Sequence, residues 1–326
     1  MAIVPGDIHA QLVERKERIE SLAARGSRDG QLEHLIREID AAIARLSAGT
    51  YGRCETCHDP IEPERLEADP LVRFCLDHLS PREARALEQD LELASRVQLN
   101  LLPPFELEVD GWQLAYYYEP FTTVSGDFVD VVRPTAGDAQ LLFLFGDIAG
   151  KGVAASMLMA HLHASVRTLI DLGFALPRVV ERANRIFCES TMANHYATLV
   201  CGRLSTSGEL ELCNAGHCPP IHLHGGQATT VEPTSVPVGL FCVKEFPSRT
   251  IQLAPGDALL LYTDGVSEAQ GANEAEYGVD RLVSVATEHS SHTAAALVAA
   301  CRRDLDAFRG GARRLDDVTI MAIKRL

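Results

Sequence analysis

Positive charge is in short supply. Thirty Lys and Arg face 45 Asp and Glu, for a formal net charge of −15, which argues against broad nucleic-acid binding through a basic surface. No run of about 18 apolar residues occurs, so no membrane span is expected. The first residues, MAIVPGDIHAQ, have neither the basic n-region nor the apolar h-region of a signal peptide. These absences lead us to expect a cytoplasmic protein. A nucleotide-binding P-loop is also missing, although FLFGDIAGKGV (143–153) has the outline of one. That loop needs Gly, four residues, then Gly-Lys-Ser/Thr. Counting back from Gly150, the first glycine is replaced by Phe145, and Gly152 stands where the hydroxyl should be. There is no internal repeat, no low-complexity stretch and no strict strand–helix alternation.

What is present suffices for a real core. Of 326 residues, 46% are hydrophobic and 23% charged, enough for two domains or for one large domain with an appendage. Residues 7–25 and 31–48 read as amphipathic helices; Leu32, Ile36, Ile39, Ala42, Ile43 and Leu46 share a stripe in the second. The intervening GSRDG is a turn signal, which predicts an antiparallel helical hairpin. PREARALEQDLELASRVQLNLLPP reads as a helix up to Pro103 and Pro104. Its Leu87, Leu91, Ala94, Gln98 and Leu101 follow 4-3-4-3 spacing, compatible with a short coiled-coil seam or with one helix packed on a domain. From about residue 105 short β-rich runs dominate, among them GWQLAYYYEPF, AQLLFLFGD, YATLVCGRLS, GELELCNAG, PPIHLHG, RTIQLA and DALLLYTDG. Helical patterns fall near 152–173, 175–193, 278–289 and 292–308. Together they predict a sheet-based α/β or α+β domain.

Nine cysteines in a reducing compartment favour thiols or metal ligands over disulfides. Cys54 and Cys57 form a Cys-x-x-Cys pair; Cys75 and His78 form a Cys-x-x-His pair. Each pair can grip one side of a tetrahedral ion, and zinc suits thiolate and imidazole donors. A redox Cys-x-x-Cys would leave the second pair unexplained. The stretch YGRCETCHDPIEPERLEADPLVRFCLDH, with the helix before it, resembles the zinc finger of the DksA/TraR family, whose members bind RNA polymerase through the hairpin tip. Two departures stand out. His78 replaces a usual cysteine, and the tip GSRDGQ carries only Asp29. A structural zinc module is therefore expected, with polymerase binding in doubt.

Four acidic segments accompany the strands: SGDFVD (125–130), FGDIAGKG (145–152), LYTDGVSEA (261–269) and LDDVTIMAI (315–323). Singly, each reads as a turn or a helix cap. Jointly, they are oxygen donors of the kind that hard divalent ions need. Two close metals can generate a hydroxide and clamp the oxygens of an in-line phosphoryl displacement. The order of these segments, with NAGHCPP (214–220) among them, resembles the PPM-type metal-dependent serine/threonine phosphatases of the SpoIIE and RsbU branch, from about residue 95 onward.

The resemblance implies an α+β fold: a central β-sandwich flanked by helices, here preceded by the helical hairpin with its small zinc finger. The expected divisions are 1–79 for hairpin and finger, 80–104 for a helical linker and 105–326 for the phosphatase domain. It implies that Asp147 bridges two Mn²⁺ or Mg²⁺ ions, that the Ile148 carbonyl is a backbone ligand, and that Asp127, Asp264 and Asp316 complete the cluster, with Asp317 the lesser member of its pair. One structural Zn²⁺ would sit on Cys54, Cys57, Cys75 and His78. Asp147, Asp264 and Lys151 are the candidate catalytic residues. Lys151 is equally compatible with a phosphate contact and with a solvated loop position; for His217, shaping its turn is favoured over proton donation. Cys188, Cys201, Cys213, Cys218, Cys242 and Cys301 are expected as small core residues. The implied substrate is a phosphoserine or phosphothreonine protein, an anti-anti-sigma (STAS) regulator in this branch, with a homodimer through the linker possible. No membrane and no direct nucleic-acid partner is expected. The alternative is a DksA-like, RNA-polymerase-binding transcription regulator with a passenger phosphatase domain.

Overall fold

The computed structural model describes residues 9, 12, 13, 15, 16, 30–79, 81–133, 141–191, 195–272 and 274–326. Residues 26–29 of the predicted turn GSRDG and most of the first predicted helix lie outside these residues. The chain forms two compact units, Met1–Asp90 and Leu91–Leu326.

In the first unit, α1 (Gly30–Ser47) is the second predicted helix. Its buried Ile39 and Ala42 pack with Leu12 and Leu71, and Lys16 pairs with Asp40 at 2.6 Å. A short α2 (Pro63–Ala68) starts on proline, which is favoured where the backbone N–H has no helical partner. A second small cluster gathers Cys54, Ile61, Val72 and Cys75. Helix α3 (Pro81–Leu99) runs across the division between the units.

The second unit is a sandwich of two antiparallel sheets. One has six strands in the order β1 (Glu106–Val109), β2 (Trp112–Glu119), β11 (Val318–Arg325), β10 (Ala258–Tyr262), β7 (Ile221–His224), β8 (Gln227–Thr230). The other has five, in the order β3 (Phe128–Val132), β4 (Leu141–Ile148), β5 (Ala197–Leu204), β6 (Glu209–Ala215), β9 (Arg249–Gln252). Every β-run named from the sequence is a strand. Helices α4 (Gly152–Asp171) and α5 (Leu176–Ser190) cover the outer face of the five-stranded sheet. Helices α7 (Val279–Glu288) and α8 (Ala294–Arg309) cover the six-stranded one, and the one-turn α6 (Asp264–Ser267) follows β10. Thr293 caps α8 by accepting from the Ala296 N–H, and Gly310 ends it at φ 56°, a left-handed position that glycine takes without steric cost.

This layering explains why the central strands are apolar without alternation. In β4, Leu141, Phe143 and Phe145 face the space between the sheets. Leu142, Leu144 and Ile148 face α4 and α5. Both faces are covered, so both must be apolar. The same logic corrects a composition-based impression: α4 has the length and hydropathy of a membrane span. Its Ala155, Met159, Leu162, Val166, Leu169 and Ile170 are nevertheless buried on the sheet.

Candidate active site and metal centre

The acidic segments meet at one mouth of the sandwich. Strands β3 and β4 pair with Phe128 opposite Gly146, which sets Asp127 beside Asp147. Strands β10 and β11 pair with Tyr262 opposite Ile320, which brings the Thr263–Asp264 end to the Asp316–Thr319 start. Gly265 makes this approach possible: a Cβ there would lie 1.9 Å from the Asp317 carbonyl and 3.2 Å from the Asp316 Cβ. Glycine at 126 acts similarly. A Cβ there would sit 3.0 Å from the Ile148 carbonyl oxygen and 3.1 Å from Asp147 Oδ1. Its absence leaves those two oxygens open to one shared space.

Each acid has a distinct setting. Asp127 is buried, and its Oδ2 accepts from the hydroxyls of Thr263 (3.0 Å) and Thr319. Asp317 Oδ1 accepts from the Phe121 N–H (2.6 Å) and Oδ2 from the Gly126 N–H (2.9 Å). Asp317 thus ties down the 121–126 loop, while the half-exposed Asp316 pairs with Lys151 at 2.8 Å. The Lys151 ammonium also donates to the Leu315 carbonyl. Gly150 and Gly152 take φ of 111° and 77° with nothing near a would-be Cβ. They serve the turn from β4 into α4, as a non-P-loop reading requires. The remaining acid of SGDFVD, Asp130, points elsewhere: it is buried against His163 (2.8 Å) and Arg167 (3.1 Å), tying β3 to α4.

Like charges dominate the mouth. Burial, then Asp264, Asp316 and Asp317, push Asp147 up to about 8. Burial and Asp147 raise Asp127 well above the carboxylate range, and burial and Asp316 raise Asp264. Carboxylates crowded this way are unfavourable without a cation. Among the described residues, the groups of three or more donors lying within 4.8 Å of one another are Cys54–Cys57–Cys75–His78 and His222–His224–Asp257.

The first of these fits a tetrahedral ion. Cys57 and Cys75 Sγ are 3.7 Å apart, and Cys75 Sγ is 3.4 Å from His78 Nδ1. Zn–S bonds of about 2.3 Å and Zn–N bonds of about 2.0 Å place such neighbours roughly 3.8 and 3.5 Å apart. Burial raises the Cys54 thiol, but N–H donors of Cys57, Cys75 and Thr56 outweigh it and bring it down to about 6.

His217 is a strut. Its Nε2 lies 3.1 Å from the Tyr262 carbonyl, which can only accept, so Nε2 carries the proton. Nδ1 then accepts from Thr198 Oγ1 at 2.7 Å. Asn214 holds the turn by accepting from the His217 N–H and donating to its carbonyl. Burial pushes His217 down to about 4. Neutral and doubly engaged, it joins β5 of one sheet to β10 of the other, and the turn-shaping reading holds over proton donation.

The cysteine expectation needs correction. Cys201, Cys213 and Cys301 are buried, but Cys188 and Cys218 are partly exposed and Cys242 is exposed, on the 239–245 loop. Asn184 holds that loop by donating to the Phe241 carbonyl and accepting from the Gly239 N–H. The loop bonds through its backbone, so its side chains face outward. Cys218 is the thiol that feels Asp264 and Asp147; burial, then Asp264, push it up to about 12. It stays protonated and is no nucleophile.

Sequence reasoning missed Thr263 and Thr319, which hold Asp127, and the specific task of Gln98. Gln98 is buried; its amide donates to the Ser125 carbonyl (2.6 Å) and accepts from the Ser125 N–H (3.0 Å). A polar residue on an otherwise apolar stripe was the available signal.

Residues 137–326 match the family described as Stage II sporulation protein E (SpoIIE). Residues 49–77 match the prokaryotic dksA/traR C4-type zinc finger. The chain is 27% identical over 187 residues to phosphoserine phosphatase RsbP of Bacillus subtilis, covering 56% of this chain and 46% of RsbP. It is 27% identical over 265 residues to protein IcfG of Synechocystis, covering 72% and 41%. It thus spans about half the length of the curated relatives it matches. The crystal structure of RsbU and RsbW domains from Mycobacterium tuberculosis superposes with TM-score 0.57 at 31% identity, covering 66% of this chain and 60% of that one. The SiaA-PP2C domain of Pseudomonas aeruginosa superposes with TM-score 0.65 at 18% identity, covering 76% and 99%, a likeness of fold.

Proposed function

The chain belongs to the SpoIIE family, and from that premise we propose that it is a metal-dependent protein serine/threonine phosphatase. The observation that carries the reading is the convergence of Asp127, Asp147, Asp264 and Asp316 at one mouth of the sandwich, with the pKa values of Asp127, Asp147 and Asp264 raised by burial and mutual repulsion. The named phosphoserine phosphatase among its relatives supports the reaction class.

The donor set suits two Mn²⁺ or Mg²⁺ ions: all oxygen, strongly anionic and spread over four chain segments. Asp147, the Ile148 carbonyl, Asp127, Asp264 and Asp316 would hold them. When bound, such ions acidify a water and offset charge developing on a phosphoryl group. The chain's own residues do the rest. Thr263 and Thr319 orient Asp127. Asp317 and Gln98 fix the loop that carries it. Lys151, paired with Asp316 here, would be the residue to contact a phosphate oxygen. Cys54, Cys57, Cys75 and His78 would hold one structural Zn²⁺.

The substrate we propose is a phosphorylated anti-anti-sigma type regulator, and the part of residues 80–104 is that of a linker. Hydrolysis of a phosphoserine protein should require Mn²⁺ or Mg²⁺ and fall at least a hundredfold in Asp264→Ala, read as phosphate release. Turnover without a divalent ion, or unchanged in that variant, would sink the mechanism. The polymerase-regulator alternative predicts capture of RNA polymerase by the full chain.

A further inference from the structure

A second cluster of donors lies far from the acidic mouth and takes no part in the proposed reaction. His222 and His224 alternate on β7, so both side chains emerge on one face. β7 pairs with β10 through His222 opposite Leu259 and Leu223 opposite Ala258. One further step in this register puts His224 opposite Asp257. The two-residue turn Gly225–Gly226, with φ of 56° and 77°, closes the β7–β8 hairpin just beyond. Asp257 is held from behind: its Oδ2 accepts from the Ala254 N–H at 2.8 Å, locking the turn that leads into β10. Nearby Lys324 does not neutralise it by contact, since its ammonium donates to the Ser290 carbonyl.

His224 Nδ1 lies 2.8 and 2.9 Å from the two Asp257 oxygens, and His222 Nε2 lies 3.4 Å from Oδ2. All three donors fall within 4.8 Å of one another. A single N–H serves one oxygen well, whereas His224 Nδ1 stands equally near both. Metal–nitrogen and metal–oxygen bonds of about 2.0–2.2 Å put neighbouring ligands roughly 2.9 Å apart at right angles and roughly 3.4 Å apart at the tetrahedral angle. The observed separations span this range. Asp257 is buried, while the His224 side chain is 66% exposed, which gives an ion a way in and leaves its remaining positions to water.

We infer that His222, His224 and Asp257 form a further metal site, for zinc or a similar imidazole-seeking divalent ion. Two imidazoles and one carboxylate select such ions over Mg²⁺. The site is separate from the acidic mouth: Asp257 and Asp264 bracket β10, and seven extended residues span roughly 20 Å. It stands independently of the phosphatase reading.

The test is a calorimetric titration of Zn²⁺ into the full chain with excess Mg²⁺ present, comparing wild type, His224→Ala and the double variant His222→Ala/His224→Ala. Thermal melting in the same Mg²⁺ buffer verifies that the variants are folded. The wild type should bind one more Zn²⁺ than the folded double variant, and His224→Ala, a change at an exposed side chain, should weaken that equivalent at least tenfold. Equal zinc uptake by wild type and double variant overturns the inference and leaves two histidines hydrogen-bonded to a turn carboxylate.

Discussion

Removing the central carboxylate should stabilise the protein when no cation is present. In Asp147→Asn the perturbed group is one raised from its ordinary 3.8 to about 8 by burial and by Asp264, Asp316 and Asp317. A carboxyl with a raised folded-state pKa favours folding below its unfolded pKa, and that contribution disappears as pH climbs through the folded value. At pH 7 the ionised group must either take up a proton or sit charged among like charges. At about 1.4 kcal/mol per unit, the penalty is about 4 kcal/mol at pH 7 and about 1.5 kcal/mol at pH 5. Because Asp127 shares the repulsion, about 2–4 kcal/mol is the expected gain at pH 7. In a unit of 236 residues (91–326), that corresponds to a rise in melting temperature of roughly 5–15 °C. The assay is a melting curve for wild type and variant after desalting into divalent-free buffer, at pH 5 and pH 7. Excess Mg²⁺ should shrink or reverse the difference by stabilising only the wild type. A variant that melts lower than wild type without cations, or by an equal offset at both pH values, would refute the picture of an uncompensated acidic mouth.

Two further outcomes follow from the geometry. Gln98→Leu keeps volume but strands the buried Ser125 N–H and carbonyl. It should cost about 2–4 kcal/mol in denaturant unfolding and lower phosphate release, and unchanged values of both would remove Gln98 from the support of the Asp127 loop. Cys75→Ala should reduce zinc retained after passage over a chelating resin by one equivalent per chain, as measured by elemental analysis. Full retention would mean that the four donors do not hold the ion together.

How much of this was legible in the sequence depended on whether the determinant was local. The Cys54–Cys57 and Cys75–His78 pairs were readable because a metal imposes short spacings within one segment. The runs that became β4 and β10 were readable because strands covered on both faces are continuously apolar. Strand β3, a five-residue element, was hidden because it begins inside SGDFVD, which reads as an acidic turn. The division of labour between Asp316 and Asp317 was only partly readable. It depends on Phe121 and Gly126 donating from almost 200 residues away, and no local pattern encodes that register. The pairing of Thr263 with Thr319 around Asp127 is of the same kind. Cys242 misled because hydrophobicity predicts burial only where the backbone passes through the core, and here it runs along an outer loop.

The position of β11 gives the protein a temporal order. It follows every other described strand in sequence, yet it lies between β2 and β10 near the middle of the six-stranded sheet. Tyr118 and Thr319, some 200 residues apart, face each other across it. During synthesis, every earlier strand emerges while that slot is still open, with two long strand edges waiting to be paired. Asp316, Asp317 and Thr319 arrive with the strand that fills it. A nascent or truncated chain lacking residues 316–325 would therefore carry Asp127 and Asp147 on one sheet and Asp264 at the end of β10, without the strand that pairs with β10. Closure of the sheet and completion of the acidic mouth are one event.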